Sequence, residues 1–269
     1  MFNKPSKLLS LLGAIGAIIL LAQPLTVSAQ DGGVLQRVKA SGRLRVAVIG
    51  GNPPYSIISP SGQPQGYDID IANKLAASLG VKPEFVITDI PGRVVSLQSG
   101  KADVTIANFT KTDERAKVIS FTDPYVVVGI KFTVLADRKD LNSIDNLNDG
   151  GKRVAVTRGG TDAAIVPKIM PKVEVVSFDN LNDTLLALQS NQVDAITQDN
   201  LYTADLTTKN PGRYKVLPGT YSKEDISIGL PQGDAAWQKQ INGWVANFNK
   251  SGDNAATFKK WFGYDLPAF

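Results

Sequence analysis

The 269-residue chain contains no cysteine and no histidine. Without cysteine it can form no disulfide, so its stability has to come from packed cores. The two absences also exclude a Ser-His-Asp triad, a cysteine nucleophile and the usual kind of zinc site. We therefore expect neither a metal nor a cofactor, and an enzyme built from this chain would have to use carboxylates, Lys, Tyr or Arg.

A large excess of one charge is also missing. The chain has 29 Lys and Arg against 25 Asp and Glu, and the basic residues form no stripe along it. A nucleic-acid-binding surface needs such a basic footprint. We therefore expect no nucleic-acid partner.

The N-terminus carries a short apolar run at residues 8–22. Lys4 and Lys7 precede this run, and Val27-Ser28-Ala29 places small or short side chains just before Gln30. This pattern is typical of a secretory signal peptide cut after Ala29, and the run is too short to span a bilayer comfortably. An uncleaved anchor is the alternative. Export without disulfides is compatible with a bacterial envelope, so we predict a periplasmic mature protein.

The tetrapeptide RVAV occurs twice, at 45–48 and at 153–156. The stretch VVSLQSGKADVTIAN (94–108) also aligns without gaps with LLALQSNQVDAITQD (185–199), and the two share Leu, Gln, Ser and Asp in place. Chance identity could explain one such match, but two matches in the same order indicate a repeat. In both halves apolar strands alternate with helical patterns, which predicts parallel sheets with right-handed crossovers.

The pattern predicts a fold of two α/β lobes. Predicted strands lie at 45–49, 85–87, 102–107, 154–156, 173–178, 193–197 and 226–230. Predicted helices lie at 68–79, with Asp68 as a candidate N-cap, at 94–99, 162–169 and 182–190, and in an amphipathic segment that contains Trp237 and Phe248. No third RVAV occurs, so we expect the tail to return to the first lobe. The predicted lobes are 30–129 with 222–269, and 130–221, with hinge-like crossings near 125–135 and 217–226.

Candidate ligand-binding residues follow the predicted strands, because ligands of open α/β sheets bind beyond the carboxyl ends of the strands. Arg115 begins a helix that Thr112 could cap. The helix dipole disfavours a cation there, so a guanidinium at this place suggests a bound anion, and Thr110 adds a hydroxyl donor. The alternative is a surface salt bridge from Arg115 to Asp113 or Glu114.

The second half offers complementary groups. Gly159-Gly160-Thr161 opens a helix and presents backbone N–H groups suited to a carboxylate, although any tight turn favours glycine. Asp199 ends a predicted strand and suits an ammonium, but it could also be the N-cap of a helix over 200–206. Arg115 and Asp199 on facing lobes would bracket a zwitterion.

Several longer stretches resemble one known family. GYDIDIANKLA (66–76), LQSGKADVTIANFTKTDERAK (97–117) and FTDPY (121–125) are similar to the periplasmic polar-amino-acid-binding proteins of ABC transporters, and the likeness covers almost all of the mature chain. The resemblance implies a two-lobe Venus-flytrap fold. The lobes close over an L-amino acid, and a membrane ABC permease recognises the closed form.

The resemblance also implies roles for individual residues. Arg115 would grip the α-carboxylate with help from Thr110 and Thr161, and Asp199 would hold the α-ammonium. Asn108 and Gly160 lie in the same loops. Many members place a stacking aromatic where this chain has Asn52, so Tyr55 either replaces that aromatic or belongs to the core.

The ligand's side chain is less constrained. Arg93 and Arg158 fall near the predicted cleft, where either could neutralise an acidic side chain, or both could be solvated. The segment YVVVGIKFTVL resembles the glutamate/aspartate subgroup. These features favour an acidic amino acid or its amide.

We expect a monomeric binding protein and not an enzyme. The rival reading is a periplasmic cyclohexadienyl-type dehydratase on the same fold, which would need a general acid in the cleft. Asp199 beside Gln198 argues for an amine clamp and against the dehydratase. A sensor module of the same fold is a further alternative.

Overall fold

The computed structural model describes residues 1–2 and 33–268. Most of the predicted signal peptide, with its cut site after Ala29, lies outside the described residues. Within the described ranges no helix is both long and apolar enough to cross a membrane.

The described chain alternates strands and helices. The helices are α1 (Val34–Ser41), α2 (Tyr67–Ser78), α3 (Gly92–Gln98), α4 (Asp113–Ala116), α5 (Ile144–Leu147), α6 (Asp162–Ile169), α7 (Leu181–Gln189), α8 (Asn200–Lys209), α9 (Ala235–Lys250) and α10 (Asp253–Phe262). The strands are β1 (Arg43–Ile49), β2 (Gly51–Asn52), β3 (Ser56–Ile58), β4 (Pro64–Gln65), β5 (Lys82–Thr88), β6 (Val104–Thr105), β7 (Ser120–Val128), β8 (Ile130–Leu135), β9 (Arg153–Thr157), β10 (Glu174–Phe178), β11 (Ala195–Asp199), β12 (Tyr214–Val216) and β13 (Glu224–Leu230).

Two five-stranded sheets organise the fold. The first has the order β5-β1-β6-β13-β7 and the second the order β10-β9-β11-β8-β12. Each RVAV strand, β1 or β9, pairs in parallel with its two neighbours. The predicted parallel pairing is found around the RVAV strands, whereas β13 pairs antiparallel with β6 and β7, and β8 pairs antiparallel with β11 and β12. The two-lobe α/β fold class itself is confirmed.

The repeat extends to the amino ends of the central strands. In the first sheet the Asp103 carboxylate accepts a hydrogen bond from the Arg45 backbone N–H at 2.9 Å. In the second, Asp194 accepts from the Arg153 N–H at 2.8 Å. The aspartates that align in the sequence therefore tie each RVAV strand to the next parallel strand.

The chain passes between the sheets twice. It leaves the first sheet after β7 and enters the second at β8, with Gly129 between them, and it returns between β12 and β13. A Cβ at Gly129 would clash with Thr220 and with the Ser222 carbonyl oxygen. The two crossing segments therefore lie side by side, and only glycine fits at their closest approach.

Separate apolar clusters stabilise the sheets. The larger cluster buries α2, α9 and α10 against the first sheet, with Trp237 fully enclosed, and two further clusters surround the second sheet. Asp68 is not the N-cap of α2, since Gly66 holds that position. The Asp68 carboxylate instead accepts from the Tyr125 hydroxyl at 2.8 Å and from the Asn108 N–H at 2.8 Å, because it points inward and not along the helix axis.

Candidate functional site

One cavity lies where the carboxyl ends of the strands of both sheets meet. Its lining includes groups from both halves of the chain: Ile49, Asn52, Ile90, Arg93, Asn108, Thr110, Arg115, Val128, Ile130, Thr157, Gly160, Thr161, Asp162, Leu181, Thr197, Gln198, Asp199 and Glu224. Eight of the ten residues predicted from the sequence line it. Tyr55 and Arg158 do not.

Arg115 reaches this cavity from the first turn of α4. The Thr112 hydroxyl accepts from the Arg115 backbone N–H at 3.2 Å and so caps that helix. The guanidinium donates to the Thr110 carbonyl at 2.6 Å and to the Gly159 carbonyl at 2.8 Å. No carboxylate in the described part of the chain lies within salt-bridge distance of Arg115, since Glu114 pairs with a lysine instead. The surface-salt-bridge alternative is therefore wrong.

Arg93 lies deeper than expected from the sequence. Only 4% of it is exposed, and its guanidinium donates to four backbone carbonyls: Ile90 at 2.9 Å, Ala107 at 3.2 Å, Asn108 at 2.9 Å and Gly159 at 3.4 Å. Burial, with a smaller effect of Arg115, lowers the pKa of Arg93 to about 9. Both guanidinium groups also lie over the Phe109 ring, Arg93 at 4.7 Å and Arg115 at 4.9 Å from its centroid. Arg93 therefore holds loops of both halves together.

Asp199 caps a helix and also lines the cavity. Its Oδ1 accepts from the backbone N–H groups of Leu201 and Tyr202, both at 2.9 Å, so it does cap α8. Its Oδ2 accepts from the Asn108 side-chain amide at 2.9 Å and lines the cavity. Burial raises the pKa of Asp199. The carboxylate is thus fixed by the helix N-terminus, and its side chain also lies on the cavity wall.

Tyr55 belongs to the core. It is fully buried beside Phe262, and its hydroxyl donates to Asp199 Oδ1 at 3.0 Å from behind the cavity. Among the described residues no aromatic side chain lines the cavity, and Asn52 occupies the place where the resemblance implies one. A stacking platform for the ligand is therefore missing from this part of the chain.

Arg158 points away from the cavity. Its Nε donates to Asp179 at 2.6 Å, and 61% of its side chain is exposed. The preceding residue, Thr157, ends β9 and does line the cavity. Successive side chains of a strand point to opposite faces, so Arg158 is directed to solvent.

The glycine loop after β9 supplies less than expected. The Gly160 N–H donates to the Thr157 carbonyl at 2.9 Å and is not free for a ligand. α6 begins at Asp162, whose carboxylate accepts from the Thr157 N–H at 2.8 Å and from the Thr197 hydroxyl at 3.0 Å. Burial raises the pKa of Asp162 to about 6.

A carboxylate that the sequence did not single out joins the two threonine hydroxyls. Glu224 Oε2 accepts from Thr110 at 2.9 Å, and Glu224 Oε1 accepts from Thr161 at 2.8 Å. Glu224 is 7% exposed and is the first residue of β13. The predicted strand began at Ile226, so Glu224 fell in a crossing segment, and the repeat gave no partner position that could have drawn attention to it.

Three cavity-lining side chains keep a buried polar atom without a partner. Asn52 Oδ1, Asn108 Oδ1 and Thr157 Oγ1 find no hydrogen bond among the described residues. A buried polar atom left unpaired is costly. The residues around the cavity therefore include polar groups whose hydrogen bonds the described chain leaves unmade.

Comparison with known proteins places the chain among amino-acid carriers. The family of bacterial extracellular solute-binding proteins, family 3, matches residues 44–264. An L-cystine-binding protein of Escherichia coli is 31% identical over 251 residues, 93% of this chain and 94% of that protein. A glutamine-binding protein of Geobacillus stearothermophilus is 34% identical over 72% of this chain and 75% of its own length.

A similar solved structure is also an amino-acid-binding protein. It is an ancestral amino-acid-binding protein described as a precursor of cyclohexadienyl dehydratase, with a TM-score of 0.80 and 31% identity over 85% of this chain and 99% of that one. The resemblance inferred from the sequence motifs is confirmed. The chain belongs to the bacterial extracellular solute-binding proteins of family 3, the amino-acid-capturing components of ABC transporters.

Proposed function

We propose that the cavity binds the zwitterionic end of an L-amino acid between Arg115 and Asp199. The guanidinium suits the α-carboxylate, because a planar fork can hold two oxygens at once. Asp199 Oδ2 suits the α-ammonium. The observation that carries the proposal is that this cation and this anion, from different halves of the chain, line one cavity.

We propose that the side chain of the ligand is polar and not acidic, with glutamine as the first candidate. The expected partner of an acidic side chain, Arg93, already donates to four carbonyls, and Arg158 is outside the cavity. The similar proteins named above are carriers of cystine and glutamine.

The same proposal covers the lobes and the place of action. Residues 30–129 with 222–269 form one lobe and 130–221 the other, and ligand contacts from both stabilise the closed form. After removal of residues 1–29, the protein works as a monomer in the periplasm and delivers its ligand to a permease.

The dehydratase alternative has one observation in its favour. The cavity holds buried carboxylates, Asp162 and Glu224, and a general acid is what that chemistry requires. The zwitterion clamp is the more complete feature, since a substrate without an amine would leave Asp199 unused. The similar ancestral structure is itself described as amino-acid-binding.

Titration calorimetry on residues 30–269 tests the proposal. The protein is unfolded and refolded first, so that any co-purified ligand is removed, and is then titrated with each of the twenty amino acids. Tight one-to-one binding of glutamine or another uncharged polar amino acid supports the assignment. Tight binding of glutamate or aspartate alone contradicts the side-chain proposal, and silence across the panel together with turnover of a cyclohexadienyl acid supports the dehydratase.

A further inference from the structure

The Glu224 carboxylate gives the cavity an acidic centre that the zwitterion clamp does not use. It is 7% exposed, and its oxygens accept from the hydroxyls of Thr110, Thr161 and Ser222, the last at 3.1 Å. Within the described residues no Lys or Arg nitrogen lies within 4.0 Å of it. Arg115 lines the same cavity and interacts electrostatically with Glu224, but it does not contact the carboxylate. A ligand cation in direct contact would offset more of the cost of burying Glu224.

The charges that line the cavity do not cancel. Two guanidiniums, Arg93 and Arg115, face three carboxylates, Asp162, Asp199 and Glu224. With all five ionised the lining carries one net negative charge. A zwitterionic ligand leaves that charge unchanged, an acidic ligand adds to it, and a ligand with a cationic side chain neutralises it. The corresponding differences in electrostatic energy are large inside a protein, where the effective dielectric constant is well below that of water.

The hydroxyl protons of Thr110 and Thr161 also favour a cationic or N–H-bearing ligand over an anionic one. An ionised carboxylate can only accept hydrogen bonds, so Thr110 and Thr161 each commit their single proton to Glu224. Their remaining lone pairs can then only accept from a ligand. The resemblance implies that both hydroxyls donate to an α-carboxylate, and Glu224 reverses that role.

We propose that Glu224 is the charge-selecting residue of the cavity and that, with the Thr110 and Thr161 hydroxyls, it forms a subsite for a cationic or N–H-bearing group of the ligand. The proposal rests on the proposed amino-acid binding. It assigns the ligand class as L-amino acids with neutral or positive side chains. Acidic amino acids are rejected by repulsion from Glu224.

Two pairs of ligands with nearly equal shape test this by calorimetry at neutral pH. Glutamine and glutamate differ by one negative charge, and arginine and citrulline differ by one positive charge. For the wild-type protein we expect glutamine to bind at least about tenfold more tightly than glutamate, and arginine more tightly than citrulline. In Glu224→Gln the glutamine/glutamate and arginine/citrulline affinity ratios should each fall by about tenfold. Glu224→Asp keeps the charge and should retain both ratios.

Asp225→Asn is the matched control. It removes the same charge one residue further along β13, and Asp225 is not among the cavity-lining residues. The control should leave both ratios unchanged, and thermal unfolding should show that each variant is folded. If the glutamine/glutamate and arginine/citrulline affinity ratios are the same in wild type and in Glu224→Gln, the role of Glu224 is overturned and the proposed function stands. Silence of the wild-type protein toward every amino acid overturns the proposed function as well.

Discussion

The two sheets are alike at the amino ends of their central strands and different at the carboxyl ends. At the amino ends, Asp103 and Asp194 bind the backbone of the two RVAV strands in the same way. At the carboxyl ends, the first half presents the guanidinium of Arg115 and the second half presents the carboxylate of Asp199. The duplicated pattern therefore keeps its scaffold and diverges in charge where a ligand would lie.

This difference separates two kinds of polar group within one chain, those that repeat in both halves and those that do not. Groups that repeat in both halves satisfy the backbone and pair buried charges, which any α/β unit of this design requires. Groups that differ cannot be explained by that requirement, since the partner half folds without them. The unlike carboxyl ends give the cavity one cationic and one anionic wall, which matches the two ends of an amino acid.

Removing the cationic wall should cause the largest loss of ligand affinity. Arg115→Ala should weaken the binding of every amino acid by at least several hundredfold, because the α-carboxylate is common to all of them. Calorimetry with the best ligand and two poorer ones measures this. Arg158→Ala makes the same truncation outside the cavity and should change the affinity by less than about twofold. Equal losses in both variants would contradict the clamp.

The amino ends of the two RVAV strands can be compared by measuring unfolding in urea. Asp103→Ala should lower the free energy of unfolding by about 3 kcal/mol, since its side chain is 2% exposed and binds Arg37 at 3.0 Å and Arg45 at 2.6 Å. Asp194→Ala should cost about 1.5 kcal/mol, because that side chain is 16% exposed and pairs with Arg138 alone. Ligand affinity should remain near the wild-type value in both. A larger loss for Asp194→Ala would reverse the ranking.

The anionic wall is tested by Asp199→Asn. Asparagine caps a helix about as well as aspartate, so the stability of α8 should change little. The affinity for amino acids should fall about thirtyfold, because a neutral amide replaces the partner of the α-ammonium. Calorimetry and thermal unfolding on the same preparation separate the two effects. An unchanged affinity would leave Asp199 as a helix cap only.

A further prediction concerns pH and the buried carboxyl of Asp68 in the first half. Burial raises the pKa of Asp68 from 3.8 to about 7 in the folded protein. The folded state therefore binds this proton more tightly than the unfolded chain, so the stabilisation is complete below pH 3.8 and is lost as the pH rises to about 7. Between pH 4.5 and 7.5 the free energy of unfolding should fall by about 3 kcal/mol more in wild type than in Asp68→Asn.

Urea unfolding at three pH values checks this difference. Asp162 in the second half has a pKa of about 6, also raised by burial, and is unchanged in both proteins, so its contribution cancels in the comparison. Parallel curves for wild type and Asp68→Asn would show that Asp68 does not titrate in this range.

The sequence by itself determined much of the scaffold and part of the site. The helix over 162–169 was predicted with its observed ends, and strands at 154–156 and 226–230 were extended only slightly in the structure. Arg115 and Asp199 were found because each follows a predicted strand, and strand ends are local features. Periodicity and the repeat report burial along one segment, which is why they succeeded here.

Only the tertiary structure decided which neighbours each side chain has. Arg158 turned outward to Asp179, Tyr55 moved behind Asp199, and Glu224 entered the cavity between two threonines from distant loops. These contacts join residues between 21 and 144 positions apart. They depend on how the two sheets and the two crossing segments meet, and no pattern within one segment carries that information. The charge of the cavity, and with it the expected ligand class, was therefore fixed by the fold.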